Sequence, residues 1–175
     1  MNDAQLIQRI CEAALLRGDF TLRSGRKSSY YLDKYLFETQ PDILQALAER
    51  FADHVNNEPV DRLAGAELGG IPLVSATALA TGRPMVLIRN QKKDYGTARQ
   101  LEGKLEKGDR VLIVEDVATT GGQVIEAAKV LEAAGAKVVK IVAVIDREEG
   151  ARENIEGAGY PFASLFTKGE LGINE

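Results

Sequence analysis

The chain has 175 residues, 45% of them apolar and 27% charged, with a formal net charge of −4. That length suits one domain with its own core, and the charge gives no bulk attraction to nucleic acid. The single cysteine, Cys11, excludes an intrachain disulfide and a cysteine-rich zinc site. No apolar run reaches the roughly 18 residues of a membrane span, and Met1-Asn2-Asp3 does not begin a signal peptide. The expectation is a soluble, cytoplasmic protein with neither nucleic acid nor membrane as partner.

Leu6, Ile7, Ile10, Ala13 and Ala14 recur at helical spacing and predict an amphipathic helix over about residues 3–17, ended by Gly18. Two short strands, 20–22 and 28–32, flank the turn Ser24-Gly25-Arg26. Pro41 and Asp42 open a helix to about residue 56, with Ile43, Leu44, Leu47 and Phe51 facing inward. A short strand follows at 62–66. Gly69-Gly70 breaks it, and Pro72 starts a helix that stops at Gly82. Residues 85–88 form an apolar strand. Residues 89–108 are polar, without a period, and too long to be a plain connection. Then come a strand at 110–115, a helix at 123–134 closed by Gly135, a strand at 137–145, a weaker helix near 150–157 and a last strand at 161–166.

Strands alternating with helices imply an α/β fold with a mainly parallel sheet covered on both faces. Ligands of such sheets bind beyond the carboxyl ends of the strands. Four polar or Gly-rich strand ends therefore fall on one rim: residues 66–70, the loop after Ile88, residues 115–122, and Asp146-Arg147.

The most informative stretch is Val111-Leu112-Ile113-Val114-Glu115-Asp116-Val117-Ala118-Thr119-Thr120-Gly121-Gly122-Gln123. An apolar strand ends in two adjacent acids, which repel each other and need partners. Vicinal ribose hydroxyls can each donate to one carboxylate. The small and hydroxylated residues that follow let backbone N–H groups approach a phosphate, and the next helix adds a favourable dipole. The spacing matches neither a G-x-G-x-x-G fingerprint nor a Walker loop. In loop 89–108, Arg89, Lys92 and Lys93 give three cations in five residues. Such charges stabilise a departing diphosphate, and Gly96 and Gly103 could serve as hinges.

This stretch resembles the ribose-phosphate-diphosphate (PRPP) motif of the type I phosphoribosyltransferases. Residues 65–72, Gly-Ala-Glu-Leu-Gly-Gly-Ile-Pro, resemble their diphosphate-binding loop. Three further elements are similar to the orotate phosphoribosyltransferases: residues 20–31, Phe-Thr-Leu-Arg-Ser-Gly-Arg-Lys-Ser-Ser-Tyr-Tyr; the loop from Arg89; and Ile145-Asp146-Arg147-Glu148-Glu149. The resemblance runs from about residue 20 to 172. It implies the type I phosphoribosyltransferase fold in a single domain, 1–175, with about 1–35 and 160–175 forming a hood over the base site. It implies transfer of a phosphoribosyl group from PRPP to orotate, in pyrimidine biosynthesis, with Mg2+ as cofactor. It also implies a homodimer in which loop 89–103 is shared across subunits.

Carried over by residue, the resemblance gives Glu115 and Asp116 the ribose hydroxyls, and Val117, Ala118, Thr119, Thr120, Gly121, Gly122 and Gln123 the 5′-phosphate. Arg89 and Lys93 would contact the diphosphate, with Lys93 catalytic beside the two acids. Leu68 and Gly69 would offer backbone amides. Thr119 and Arg147 would contact orotate, Tyr31 and Leu32 would lie beside the pyrimidine ring, and Arg23 would contact PRPP. Asn90 stands where a lysine is common, and Tyr95 where a histidine is common. No residue is assigned as a direct metal ligand. A purine-base enzyme of the same class and a PRPP-sensing regulator that binds nucleic acid are the alternatives. The Arg147 and 20–31 elements argue against the first, and the negative charge argues against the second.

Overall fold

Alternate residues of the run at 111–114 serve two different cores. Leu112 and Val114 join one apolar cluster, and Val111 and Ile113 join the other. A strand buried on both faces reads as a continuous apolar run, because its successive side chains point to opposite sides. The computed structural model describes residues 1–21, 25, 27–91 and 100–173. Arg23, Lys93 and Tyr95 lie outside the described residues.

The elements are α1 (Asp3–Ala14), β1 (Leu15–Thr21), β2 (Lys27–Leu32), α2 (Lys34–Glu38), α3 (Pro41–Asn56), β3 (Arg62–Ala66) and α4 (Gly70–Thr81). They continue with β4 (Met85–Ile88), β5 (Leu101–Glu102), β6 (Arg110–Ala118), α5 (Gly122–Ala133), β7 (Lys137–Asp146), α6 (Ala151–Gly157) and β8 (Phe162–Thr167). Among the described residues the main sheet has six strands in the order β5-β4-β3-β6-β7-β8. All neighbours are parallel except the edge pair β4–β5. This is the expected α/β architecture, a mainly parallel central sheet with helices on both faces.

One face carries Phe37 of α2, α3 through Ile43, Leu47, Phe51 and Val55, and α4 through Leu73 and Val74. The opposite face carries α5 through Val124, Ala127, Ala128 and Leu131, and α6 through Ala151 and Ile155. In α5 these positions follow the i, i+3, i+4, i+7 spacing of one helical stripe. β1 and β2 form a separate antiparallel hairpin, with Leu15 opposite Leu32 and Leu16 opposite Tyr31.

Three local expectations change. The first helix ends at Ala14 rather than near residue 17, because Leu15 and Leu16 pair with β2; Gly18 lies inside β1, where the register shifts between Arg17 and Phe20. Helix α2 was not foreseen. Nor was β5, which returns the long polar segment to the sheet edge. Phe51, fully buried between α3 and the sheet, anchors the first core. Phe51→Ala is expected to cost about 3–5 kcal/mol in urea unfolding; a loss below about 1 kcal/mol would place it outside the cooperative core.

Candidate active site at the carboxyl edge of the sheet

Beyond its apolar run, β6 continues through Glu115 and Asp116 before the chain turns into α5. Asp116 follows Leu112 and Val114 in strand alternation, so it points toward α2 and the start of α4. It is only 3% exposed. Its Oδ1 accepts the Val117 N–H, and its Oδ2 lies 2.5 Å from Lys34 Nζ. The Glu115 Oε1 accepts the Asp116 N–H at 3.0 Å. Burial, then the Asp116 charge, pushes the Glu115 carboxyl above the usual carboxylate range. Burial opposes the Lys34 charge, but the Asp116 carboxylate beside it outweighs burial and raises its pKa.

The loop between β3 and α4 crosses directly over this acid. A Cβ on Gly69 would overlap Asp116 Oδ2, so only glycine lets the backbone pass there. The Glu67–Leu68 peptide is cis, and Leu68 is 64% exposed. The Glu67 carboxylate accepts the Asn90 N–H at 2.6 Å and so ties this loop to the segment leaving β4. That segment is tied again at its base. The Arg89 N–H donates to the Gln100 carbonyl at 2.8 Å, and Gln100 Nε2 donates back to the Arg89 carbonyl at 3.0 Å.

These pieces enclose one cleft of about 880 Å³. Its walls include Lys34, Glu67, Leu68, Gly69, Arg89, Asn90, Glu115, Asp116, Gly122 and Gln123. Gly121 stands at the N-cap of α5 with a φ of 79°, and a Cβ there would come 2.8 Å from Ile155 Cγ1. Its lack of a side chain thus seats the loop 117–122 against α6. Asn154 Nδ2 holds the same loop by donating to the Thr120 carbonyl at 2.9 Å.

Arg147, at the end of β7, lies beside that loop, since its N–H donates to the Ala118 carbonyl at 2.9 Å. Its guanidinium sits 3.1 Å from Tyr30 Oη and 3.2 Å from a Glu149 carboxylate oxygen. It also lies over the Tyr30 ring at 6.0 Å, within cation–π range. Thr119 is half-buried and Thr120 exposed; Tyr31 is exposed on β2, and Leu32 is partly buried beside it. Arg147, Tyr31 and Leu32 are not in the wall of the acidic cleft. Lys34 and Glu38 enter the site or brace it without having been singled out in the sequence, and Glu67 and Tyr30 fall in segments read there without a role of their own. For Lys34 and Glu38 the only local signal is their i, i+4 spacing between a strand and the Pro41 helix start.

Comparison with known proteins places this geometry. The family model described as "Phosphoribosyl transferase domain" matches residues 36–158. The orotate phosphoribosyltransferase of Natronomonas pharaonis is 45% identical over 172 residues, covering 98% of each chain. The crystal structure of Mycobacterium tuberculosis H37Rv orotate phosphoribosyltransferase in complex with Fe(III) dicitrate superposes with a TM-score of 0.88. It is 30% identical and covers 97% of this chain and 98% of its own. The same enzyme in complex with PRPP gives a TM-score of 0.84 at 29% identity, covering 97% of this chain and 98% of its own.

Behind the cleft, Glu38 is 1% exposed and its carboxyl is pushed up to about 9, by burial first and then by Asp116. The folded chain thus holds this proton more tightly than the unfolded chain. The associated stability is present below the ordinary value of 4.5 and is lost as pH rises toward 9. Between about pH 5 and about pH 8, the urea-unfolding free energy is expected to fall more steeply in the wild type than in Glu38→Gln. Parallel curves would show that Glu38 ionises as readily in the folded chain as in the unfolded one.

Proposed function

The chain belongs to the phosphoribosyltransferase family, in its orotate branch, and from that premise we propose how its residues divide the work. The reaction moves a phosphoribosyl group from PRPP to orotate, giving orotidine 5′-phosphate and diphosphate. The observation that carries the residue assignment is the single cleft that joins Glu115 and Asp116 to the Gly69 loop, Arg89 and the start of α5.

Glu115 and Asp116 receive the ribose hydroxyls. Residues 117–123 receive the 5′-phosphate on backbone N–H groups at the α5 N-terminus. The backbone at Leu68 and Gly69, with Arg89 and Lys93, takes the diphosphate, and Asn90 and Tyr95 lie in the same loop. Arg23 is assigned to PRPP as well. Arg147 and Thr119 face the orotate carboxylate and ring, with Tyr31 and Leu32 alongside. A guanidinium suits that carboxylate because it can form a forked pair. As the C1–O bond to diphosphate breaks, its electron pair leaves with the diphosphate. The orotate ring nitrogen closes the new bond to a C1 of oxocarbenium character as its N–H bond breaks, and the proton passes to the departing diphosphate.

Mg2+ is part of this reading. Substrate oxygens of the diphosphate and ribose, with water, would supply most of its ligands and the protein few. The ion would neutralise charge on the diphosphate. The loop of residues 89–103 reaches the partner's site in a homodimer, where its closure excludes water that would hydrolyse PRPP. Residues 1–35 and 160–175 form the hood of the one domain. In its support, the Cys11 thiol lies 3.7 Å from the Leu171 carbonyl, joining the two segments. The protein acts in the cytoplasm; among the described residues no helix is long and apolar enough to cross a membrane.

Two assays test the assignment. Lys93→Ala is expected to lower turnover of orotate with PRPP and magnesium by about 100-fold, the scale of losing one donor to a developing charge. Near-normal turnover would remove Lys93 from the chemistry. Orotate depletion is expected to exceed turnover of adenine, hypoxanthine and xanthine, and to vanish without PRPP; a preference for any purine would reassign Arg147.

A further inference from the structure

Helix α2 places Lys34 and Glu38 one turn apart on the same face, and both reach the end of β6. Glu38 is almost completely buried, and neither of its oxygens has a hydrogen-bond partner among the described residues. A Cβ on Gly69 would lie 3.3 Å from Glu38 Oε1 and on top of Asp116 Oδ2, so both carboxyls flank the same glycine. Native chains rarely leave a buried polar group without a partner, and such groups call for an explanation.

Asp116 supplies one. The ribose assignment made above needs its carboxylate to accept a hydroxyl, yet each oxygen already accepts one bond, Oδ1 from the Val117 N–H and Oδ2 from Lys34, and with Asp116 only 3% exposed little room is left for another donor. The backbone bond is fixed by the strand end. The lysine is held by a flexible stem and its side chain is 34% exposed, so it is the partner that can leave.

We propose that Lys34 holds the place of the sugar, that the ribose hydroxyls of PRPP displace its ammonium from Asp116, and that Glu38 receives it. The proposal rests on the assignment of Asp116 to the ribose. Before PRPP arrives, burial and the nearby carboxyls of Asp116, Glu115 and Asp33 keep Glu38 protonated, against the pull of Lys34. When the ammonium moves onto it, the Glu38 O–H bond breaks and the proton passes to solvent. The remaining carboxylate forms the ion pair, since a close opposite charge favours the ionised form. Lys34 and Glu38 are thus positioning residues, acting on Asp116 rather than on the reacting atoms.

Proton counting by isothermal titration calorimetry tests this. PRPP with magnesium is titrated at about pH 8 in buffers of different ionisation enthalpy. Wild-type protein is expected to release about one proton more than Glu38→Gln, whose amide cannot ionise, and Lys34→Met is expected to lose the same proton. In steady state, Glu38→Gln is expected to raise KM for PRPP on the order of tenfold, more than it changes kcat. Equal proton release by wild type and Glu38→Gln overturns the proposal. So does a proton that still depends on Glu38 in the Lys34→Met background. Wild-type turnover with orotate and PRPP is measured alongside. Its absence would remove the substrate assignment itself, whereas turnover with equal proton release removes only the Lys34–Glu38 pair.

Discussion

A carboxylate placed almost out of water needs partners from the chain, because burial of an unpaired charge costs several kcal/mol. Asp116 sets that demand at the sheet edge, and two segments meet it. The strand supplies its next N–H and α2 supplies the Lys34 ammonium, while the β3–α4 loop passes close by only because Gly69 has no side chain. The β3–α4 loop, helix α2 and the acidic strand end are therefore gathered around one side chain.

The two-sided core gives this edge its rigidity. Val111 and Ile113 face α5, and Leu112 and Val114 face α3 and α4, so β6 cannot slip by one residue without exchanging its two clusters. The functional loops leave from strands held in this way. Arg147 is set by the same register, because its N–H bonds to the Ala118 carbonyl at the end of the neighbouring strand. The acidic cleft and Arg147 are thus joined through the backbone of β6 and β7. From the hairpin, Tyr30 reaches across to brace the Arg147 side chain.

Much of this was legible in residues close together in the chain. The apolar run, the paired acids, the small residues and the helix pattern all fall between 111 and 134, so β6, the turn after it and α5 could be read in order. Contacts between distant residues could not. Lys34 meets Asp116 across 82 positions, and Arg147 meets Tyr30 across 117. Helix α2 is five residues long, too short for a period to declare itself, and β5 is two residues inside a polar stretch. Leu15 and Leu16 continue a helical pattern, but the hairpin takes them for strand pairing, and tertiary packing outweighs local propensity. Glu38 reads as an ordinary surface acid until its burial is seen.

The paired hydrogen bonds between Arg89 and Gln100 have a consequence for how such an enzyme can diverge. The chain leaves the sheet at Arg89 and rejoins it at Gln100, two points bonded to each other. For a loop closed in this way, doubling its length costs only about 0.6 kcal/mol in closure entropy. A change of length between the two points therefore costs folding little, while the bond from the Asn90 N–H to Glu67 keeps the near end tied to the β3–α4 loop. Asn90 and Tyr95 both lie between those two points.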